Sequence, residues 1–145
     1  MKHKVMLVDD NEGIRHSLGR TLEEAGYHVV LAEDGQGALE ILQEEGHDIH
    51  VVVTDIRMPR VNGYQLAEWM AVWDFQQPII FISGYGDGGV PLAGPFLSKP
   101  LSASTLIRAV GRALREVGVK PPVLPAGLEE GVIEPSVRIV RPVEE

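Results

Sequence analysis

Five short apolar runs, separated by longer segments of helical periodicity, constrain the fold of this chain more than any other feature of its sequence. The runs are Val5–Val8, His28–Ala32, Ile49–Thr54, Pro78–Ile82 and Pro95–Ser98. Strands that are apolar on both faces are typical of parallel sheets covered by helices on both sides. Because crossovers between parallel strands are right-handed, the pattern predicts an α/β fold with a doubly wound, five-stranded parallel sheet.

Charge and composition exclude several classes of protein. The 13 basic and 21 acidic residues give a net charge of −8, without the basic cluster that direct nucleic-acid binding needs. There is no cysteine, which excludes disulfides and thiolate chemistry. No apolar run approaches the ~18–20 residues of a membrane span, so we expect a cytoplasmic protein without membrane insertion. The close pair His47 and His50 lacks further ligands and is expected to be structural.

Polar residues stand at the ends of four of the apolar runs. They are Asp9 and Asp10, Asp55, Ser83 and Lys99. In doubly wound folds the carboxyl ends of the strands share one rim, where ligands bind. Three close carboxylates repel one another, and a hard cation such as Mg²⁺ relieves that repulsion. Together with a hydroxyl and an ammonium group, this set predicts phosphoryl transfer to an aspartate.

The motifs around these residues resemble the receiver domains of bacterial response regulators, which have the flavodoxin-like or CheY-like form of this fold. They are Val8-Asp9-Asp10, Thr54-Asp55-Ile56-Arg57-Met58-Pro59 with Gly63, Ile82-Ser83-Gly84 and Phe96-Leu97-Ser98-Lys99-Pro100. The resemblance extends from residue 4 to about residue 118, and it implies a receiver domain over residues 1–118.

The resemblance implies a phosphoacceptor and a metal site. Asp55 would accept the phosphoryl group, and Lys99 would pair with it. Asp10, Asp55 and the backbone carbonyl of Arg57 would bind Mg²⁺ or Mn²⁺ directly, whereas Asp9 would act through water. The expected partners are a histidine kinase or phosphotransfer protein and a downstream protein target.

The resemblance also implies a switch, in which Ser83 moves toward the phosphoryl group and Phe96 is the aromatic switch residue. The family's cis Lys-Pro bond predicts a cis bond between Lys99 and Pro100. Arg57 and Tyr85 lie at positions where they would overhang the site and tune the lifetime of the phosphorylated state. The alternative is that these two are ordinary loop residues.

The connection between the fourth and fifth apolar runs departs from the family pattern. Gly84–Gly94 has eleven residues, of which five are glycine and one is proline. Since each helical glycine costs about 1 kcal/mol and an internal proline about 3 kcal/mol, the fourth crossover helix is predicted to be missing or much reduced. Its loss would leave apolar sheet surface open to a partner or to a second copy.

Residues 119–145 have a different composition, with Pro121, Pro122 and Pro125 followed by a short apolar segment at Val137–Val140. We expect a flexible C-terminal tail. The alternative is that Val137–Val140 docks on the surface left by the reduced crossover.

Two functions fit the sequence. The first is a stand-alone phosphoryl-accepting switch of a two-component phosphorelay, without turnover of a separate substrate. The second is a receiver-like binding or scaffold module that does not depend on phosphorylation. A phosphatase of the aspartyl-nucleophile class is disfavoured because Arg57 stands where such enzymes carry a second aspartate. A nucleotide-binding enzyme is disfavoured because a glycine-rich phosphate loop is missing.

Overall fold

The computed structural model describes residues 2–84, 94–118 and 137–139. Strands and helices alternate along the first part of the chain. The elements are β1 (Lys4–Val8), α1 (Glu12–Glu24), β2 (His28–Ala32), α2 (Gly35–Glu45), β3 (Val51–Asp55), α3 (Gly63–Val72), β4 (Ile79–Ser83), β5 (Pro95–Ser98), α4 (Ala103–Glu116) and β6 (Val137–Ile139). A short 3₁₀ turn, Gly46–Asp48, precedes β3.

The strands form one sheet in the order β2-β1-β3-β4-β5-β6. All four pairings among β1 to β5 are parallel, which confirms the predicted five-stranded parallel sheet. A sixth strand was not predicted: β6 pairs antiparallel with β5, with Leu97 opposite Val137. From β1 the chain continues to β2 on one side of it and then returns to β3 on the other side. The carboxyl ends of β1 and β3 therefore border the crevice in which ligands bind in such folds.

Local signals in the sequence fix the ends of the helices. Asn11, Asn62 and Ser102 are N-caps whose side chains accept backbone N–H bonds three residues further on. At α3 the Gln65 side chain also accepts from the backbone N–H of Asn62, which completes a capping box. Gly26 has φ of 101° just after α1, a conformation that favours glycine and ends the helix.

The core lies on both sides of the sheet because alternate strand residues point to opposite faces. Leu7, Val53 and Ile82 pack on one side against α1 and α4. Met6 and Val52 pack on the other side against α2 and α3. This two-sided burial explains the nearly continuous apolar runs.

The predicted loss of the fourth crossover helix falls on residues 85–93, which lie outside the described residues, as do residues 119–136 of the tail. The sheet surface beside this connection can nevertheless be assessed. Phe81 and Phe96, on the two strands that this connection joins, are only 1% and 3% exposed. In the described ranges, the helices are too short or too polar to cross a bilayer.

Candidate functional site

The fold brings the predicted polar residues to one rim of the sheet. Asp9 and Asp10 follow β1, Asp55 and Ser83 are the last residues of β3 and β4, and Lys99 follows β5. Carboxylate oxygens of Asp9, Asp10 and Asp55 all lie within 4.8 Å of one another. The predicted clustering of three carboxylates beside a lysine is therefore confirmed.

Asp9 is fixed by hydrogen bonds of both its side chain and its backbone. Its side chain is fully buried, and its Oδ1 accepts the backbone N–H of Asn11 at 2.9 Å. Its own N–H donates to the carbonyl of Ala32 at 3.2 Å. Lys99 Nζ lies 3.0 Å from Oδ2 of Asp9, at ion-pair distance, yet within the described residues this oxygen has no hydrogen bond of regular geometry. A buried carboxylate oxygen in this state retains acceptor capacity.

Lys99 bridges two carboxylates, since its Nζ also donates to Oδ2 of Asp55 at 3.0 Å. Burial raises the pKa of Asp55, and the charge of Asp9 adds to this effect, against the opposing influence of Lys99. Burial by itself disfavours the ammonium form of Lys99, but the carboxylates of Asp9 and Asp55 outweigh that effect and raise the pKa of Lys99. Lys99 therefore remains charged, while the acidic cluster is incompletely neutralised.

The residues at this rim fit a divalent cation. One ammonium group faces three carboxylates, so the cluster has an excess of negative charge. Asp10 is exposed, and it lines an open cleft with Arg57, Met58 and Tyr64. Hard cations such as Mg²⁺ prefer carboxylate oxygens together with water. Oδ2 of Asp9, the exposed carboxylate of Asp10 and the carboxylate of Asp55 supply such a donor set.

The remaining predicted site residues lie at different depths around the cleft. Ser83 is 1% exposed, and its carbonyl accepts the backbone N–H of Lys99 at 2.9 Å. Phe96 is buried in β5, two residues before the end of that strand. Arg57 is exposed, and its backbone N–H donates to Oδ1 of Asp55 at 3.3 Å. Tyr85 lies outside the described residues.

The predicted cis peptide bond between Lys99 and Pro100 is present. A neighbouring feature of the site was not predicted from the sequence. Arg15, on α1, is only 7% exposed, and its Nη1 donates to the carbonyl of Asp9 at 2.8 Å. The helical spacing of apolar residues around it gave no sign that this arginine points inward. The signal that could have identified it is its position three residues before Leu18, on the inward side of α1.

The loop after β3 is fixed at both of its ends. Gly63 donates its N–H to the carbonyl of Ile56 at 2.8 Å, and a Cβ at Gly63 would lie 2.5 Å from the carbonyl oxygen of Asp55. Arg60, which has φ of 66°, pairs with Asp34 at the start of α2. The backbone N–H of Gly37 and then Arg60 hold the pKa of Asp34 below its usual value, although burial opposes this. The loop that borders the acidic cluster is thus anchored to α2 and α3.

Comparison with known proteins agrees with this geometry. The chain is 33% identical over 117 residues to the response regulator receiver protein CpdR of Brucella abortus, covering 77% of this chain and 96% of CpdR. It is also 33% identical over 118 residues to the sensor kinase CckA of the same species, but it spans only 12% of that protein. A receiver protein structure from Sinorhizobium medicae superposes with a TM-score of 0.69 at 33% identity, covering 79% of this chain and 95% of the other.

The sequence profile of the response regulator receiver domain matches residues 5–111. This range contains all the strand-end residues of the acidic cluster, with Lys99 and Ser83. The chain therefore belongs to the response regulator receiver domain family of two-component systems.

Proposed function

We propose that this protein is a phosphoryl-accepting switch of a two-component phosphorelay, with Asp55 as the acceptor. The observation that carries the proposal is the convergence of three carboxylates within 4.8 Å, with Lys99 Nζ 3.0 Å from both Asp9 and Asp55. The proposed donor is the phosphohistidine of a cytoplasmic histidine kinase or phosphotransfer protein, and the proposed output is binding to another protein.

In the proposed reaction, a carboxylate oxygen of Asp55 attacks the phosphorus atom of the donor. The new P–O bond forms as the P–N bond to histidine breaks, and the imidazole takes up a proton as it leaves. Charge accumulates on the phosphoryl oxygens during transfer. The Lys99 ammonium next to Asp55 compensates part of that charge, and the Ser83 hydroxyl at the end of β4 is suited to donate to a further phosphoryl oxygen.

Asp9, Asp10, Asp55 and the carbonyl of Arg57 would hold Mg²⁺ or Mn²⁺. The ion supplies charge neutralisation for the acidic cluster and for the phosphoryl oxygens. The chain's own residues keep the acceptor in place, since Lys99 binds Oδ2 of Asp55 and the N–H of Arg57 binds Oδ1. Phosphorylation and hydrolysis on Asp55 would be the only chemistry, without turnover of a separate substrate.

The proposal is tested by incubating the protein with Mg²⁺ and a small acyl phosphate and recording its intact mass. We expect the mass of one phosphoryl group to be added to the parent and to Asp48→Asn, in which an exposed acid far from the site is changed. We expect no addition to Asp55→Asn or in the presence of a chelator. Labelling of Asp55→Asn would place the acceptor elsewhere, and a parent that stays unlabelled would favour the phosphorylation-independent binding module.

A further inference from the structure

An apolar patch lies on the outer surface of α3, away from the acidic cleft. It consists of Trp69, Val72 and Trp73, and we call it the α3 patch. Trp69 is 45% exposed and Val72 is 74% exposed, whereas Trp73 is half-buried. The two indole rings contact each other with their centroids 5.5 Å apart and their planes tilted by 45°. Trp73 is the C-cap of α3, so the three side chains stand at i, i+3 and i+4 on one face, which is the spacing used in contacts between helices.

The surroundings of the α3 patch are acidic. The two segments 34–48 and 62–77, which contain α2 and α3, carry seven acidic residues and no lysine or arginine. Lys4 pairs with Glu45, and Arg60 pairs with Asp34, which leaves five without an ion pair within the described residues. These five are Glu40, Glu44, Asp48, Glu68 and Asp74.

Contacts between aromatic rings connect the patch to the acidic end of α2. Trp73 packs against Phe75 at 6.3 Å, and Phe75 packs against His47 at 5.3 Å. Glu68 and Asp74 adjoin the two tryptophans in sequence. The segments 34–48 and 62–77 around the tryptophan stripe thus contribute acidic side chains and no lysine or arginine, and complementary charge on a partner would favour association there.

We propose that the α3 patch is a docking site for a helical segment of another protein, with apolar anchors flanked by lysine or arginine. Aromatic residues are enriched at the energetic centres of protein interfaces. A second copy of this chain is a poor occupant, because each copy carries a net charge of −8 and a symmetric contact would oppose one acidic face to the other.

The patch lies on the C-terminal half of α3 and at its C-cap, whereas the acceptor cleft lies at the N-terminal end of this helix. The helix begins at Gly63, beside Asp55, and it ends near the rim where β4 starts. Binding at the α3 patch therefore leaves the acidic cleft accessible. The proposal consequently does not depend on phosphorylation of Asp55, and the two can be tested separately.

The experiment measures binding of a fluorescein-labelled peptide of about 18 residues, long enough to form a helix. The peptide contains only leucine and lysine, with leucine at i, i+3, i+4 and i+7. A second peptide has glutamate in place of lysine. Each is titrated by fluorescence anisotropy with the full chain, with Val72→Lys and with Val117→Lys. Val117 is also an exposed apolar residue, at 52%, so this control makes the same charge change away from the patch.

We expect the lysine peptide to bind the parent and Val117→Lys equally, within about twofold, and Val72→Lys at least about tenfold more weakly. We expect the glutamate peptide not to bind. Equal weakening by the two lysine variants would mean that affinity follows net charge alone, which would overturn the proposal. No binding of the lysine peptide to the parent would also overturn it. Self-association in sedimentation velocity that Val72→Lys abolishes would instead assign the patch to a second copy.

Discussion

Gly63 is the position where a single methyl group should have the largest effect on the acidic cleft. A Cβ there would lie 2.5 Å from the carbonyl oxygen of Asp55 and 2.9 Å from Cα of Ile56. Both are backbone atoms that cannot move independently of β3. Forcing a side chain into such a space costs up to about 3 kcal/mol, while replacing glycine by alanine in a helix returns at most about 1 kcal/mol. We therefore expect Gly63→Ala to lower the free energy of unfolding by about 2 kcal/mol.

The matched control is Gly13→Ala, in the first turn of α1. The closest neighbour of a Cβ at Gly13 is Oδ1 of Asn11 at 3.5 Å, an ordinary contact, so this variant should gain up to about 1 kcal/mol. Urea unfolding followed by tryptophan fluorescence measures both values. We also expect Gly63→Ala to bind Mg²⁺ more weakly, because the strain falls on the backbone of Asp55. If the two alanine variants were equally stable, the close approach of α3 to β3 would not constrain the site as argued.

Three further outcomes follow from the contacts of the site and the core. Burial raises the pKa of Asp55 in the folded, metal-free protein, so protonation of Asp55 favours the folded state. This stabilisation is fully present below about pH 4 and is lost as the pH rises through the folded-state pKa. Between pH 4 and 7, the free energy of unfolding in urea should therefore decline less in Asp55→Asn than in the parent. An equal decline in the two proteins would contradict this. Arg15→Met should lower the free energy of unfolding by about 1–3 kcal/mol, because it removes the buried donor to the Asp9 carbonyl. Arg20→Met, at an exposed ion pair, should change the free energy of unfolding by no more than about 0.5 kcal/mol. Burial raises the pKa of Tyr27 to about 12, so Tyr27 stabilises the fold fully below about pH 10, and this stabilisation is lost as the pH rises to about 12. The free energy of unfolding should therefore fall less steeply with pH over this range in Tyr27→Phe. Identical pH profiles of the two proteins would refute the assignment.

Much of the fold could be predicted because the strands are buried on both faces. Runs such as Val51–Val53 are apolar at every position, and this pattern distinguishes a covered parallel sheet from one that faces water. The N-caps Asn11 and Ser102 were also identifiable, since their side-chain oxygens accept backbone N–H groups at the start of the helix. β6 was not foreseen as a strand, because three residues after a proline-rich stretch give too short an alternation to predict pairing.

The candidate site was predicted as a set because topology alone brings strand ends together. Asp9, Asp55 and Lys99 needed no distance information beyond the strand order. The inward position of Arg15 depends on the rotation of α1 against the sheet, which residue spacing does not determine to within one side chain. The pairing of Arg60 with Asp34 depends in turn on a left-handed backbone conformation at a non-glycine residue, which sequence patterns rarely signal.

Helix α3 connects the two surfaces at which this small domain is proposed to interact. Its ten residues, at 1.5 Å each, span about 15 Å between the acceptor end and the tryptophan end. A protein anchored at the far end would keep any domain attached to it at high effective concentration around Asp55 without blocking the cleft. Such avidity would make the protein favour donors that bind both the α3 patch and the acceptor cleft over donors that bind the cleft alone. The length of α3 sets the distance between these two contacts.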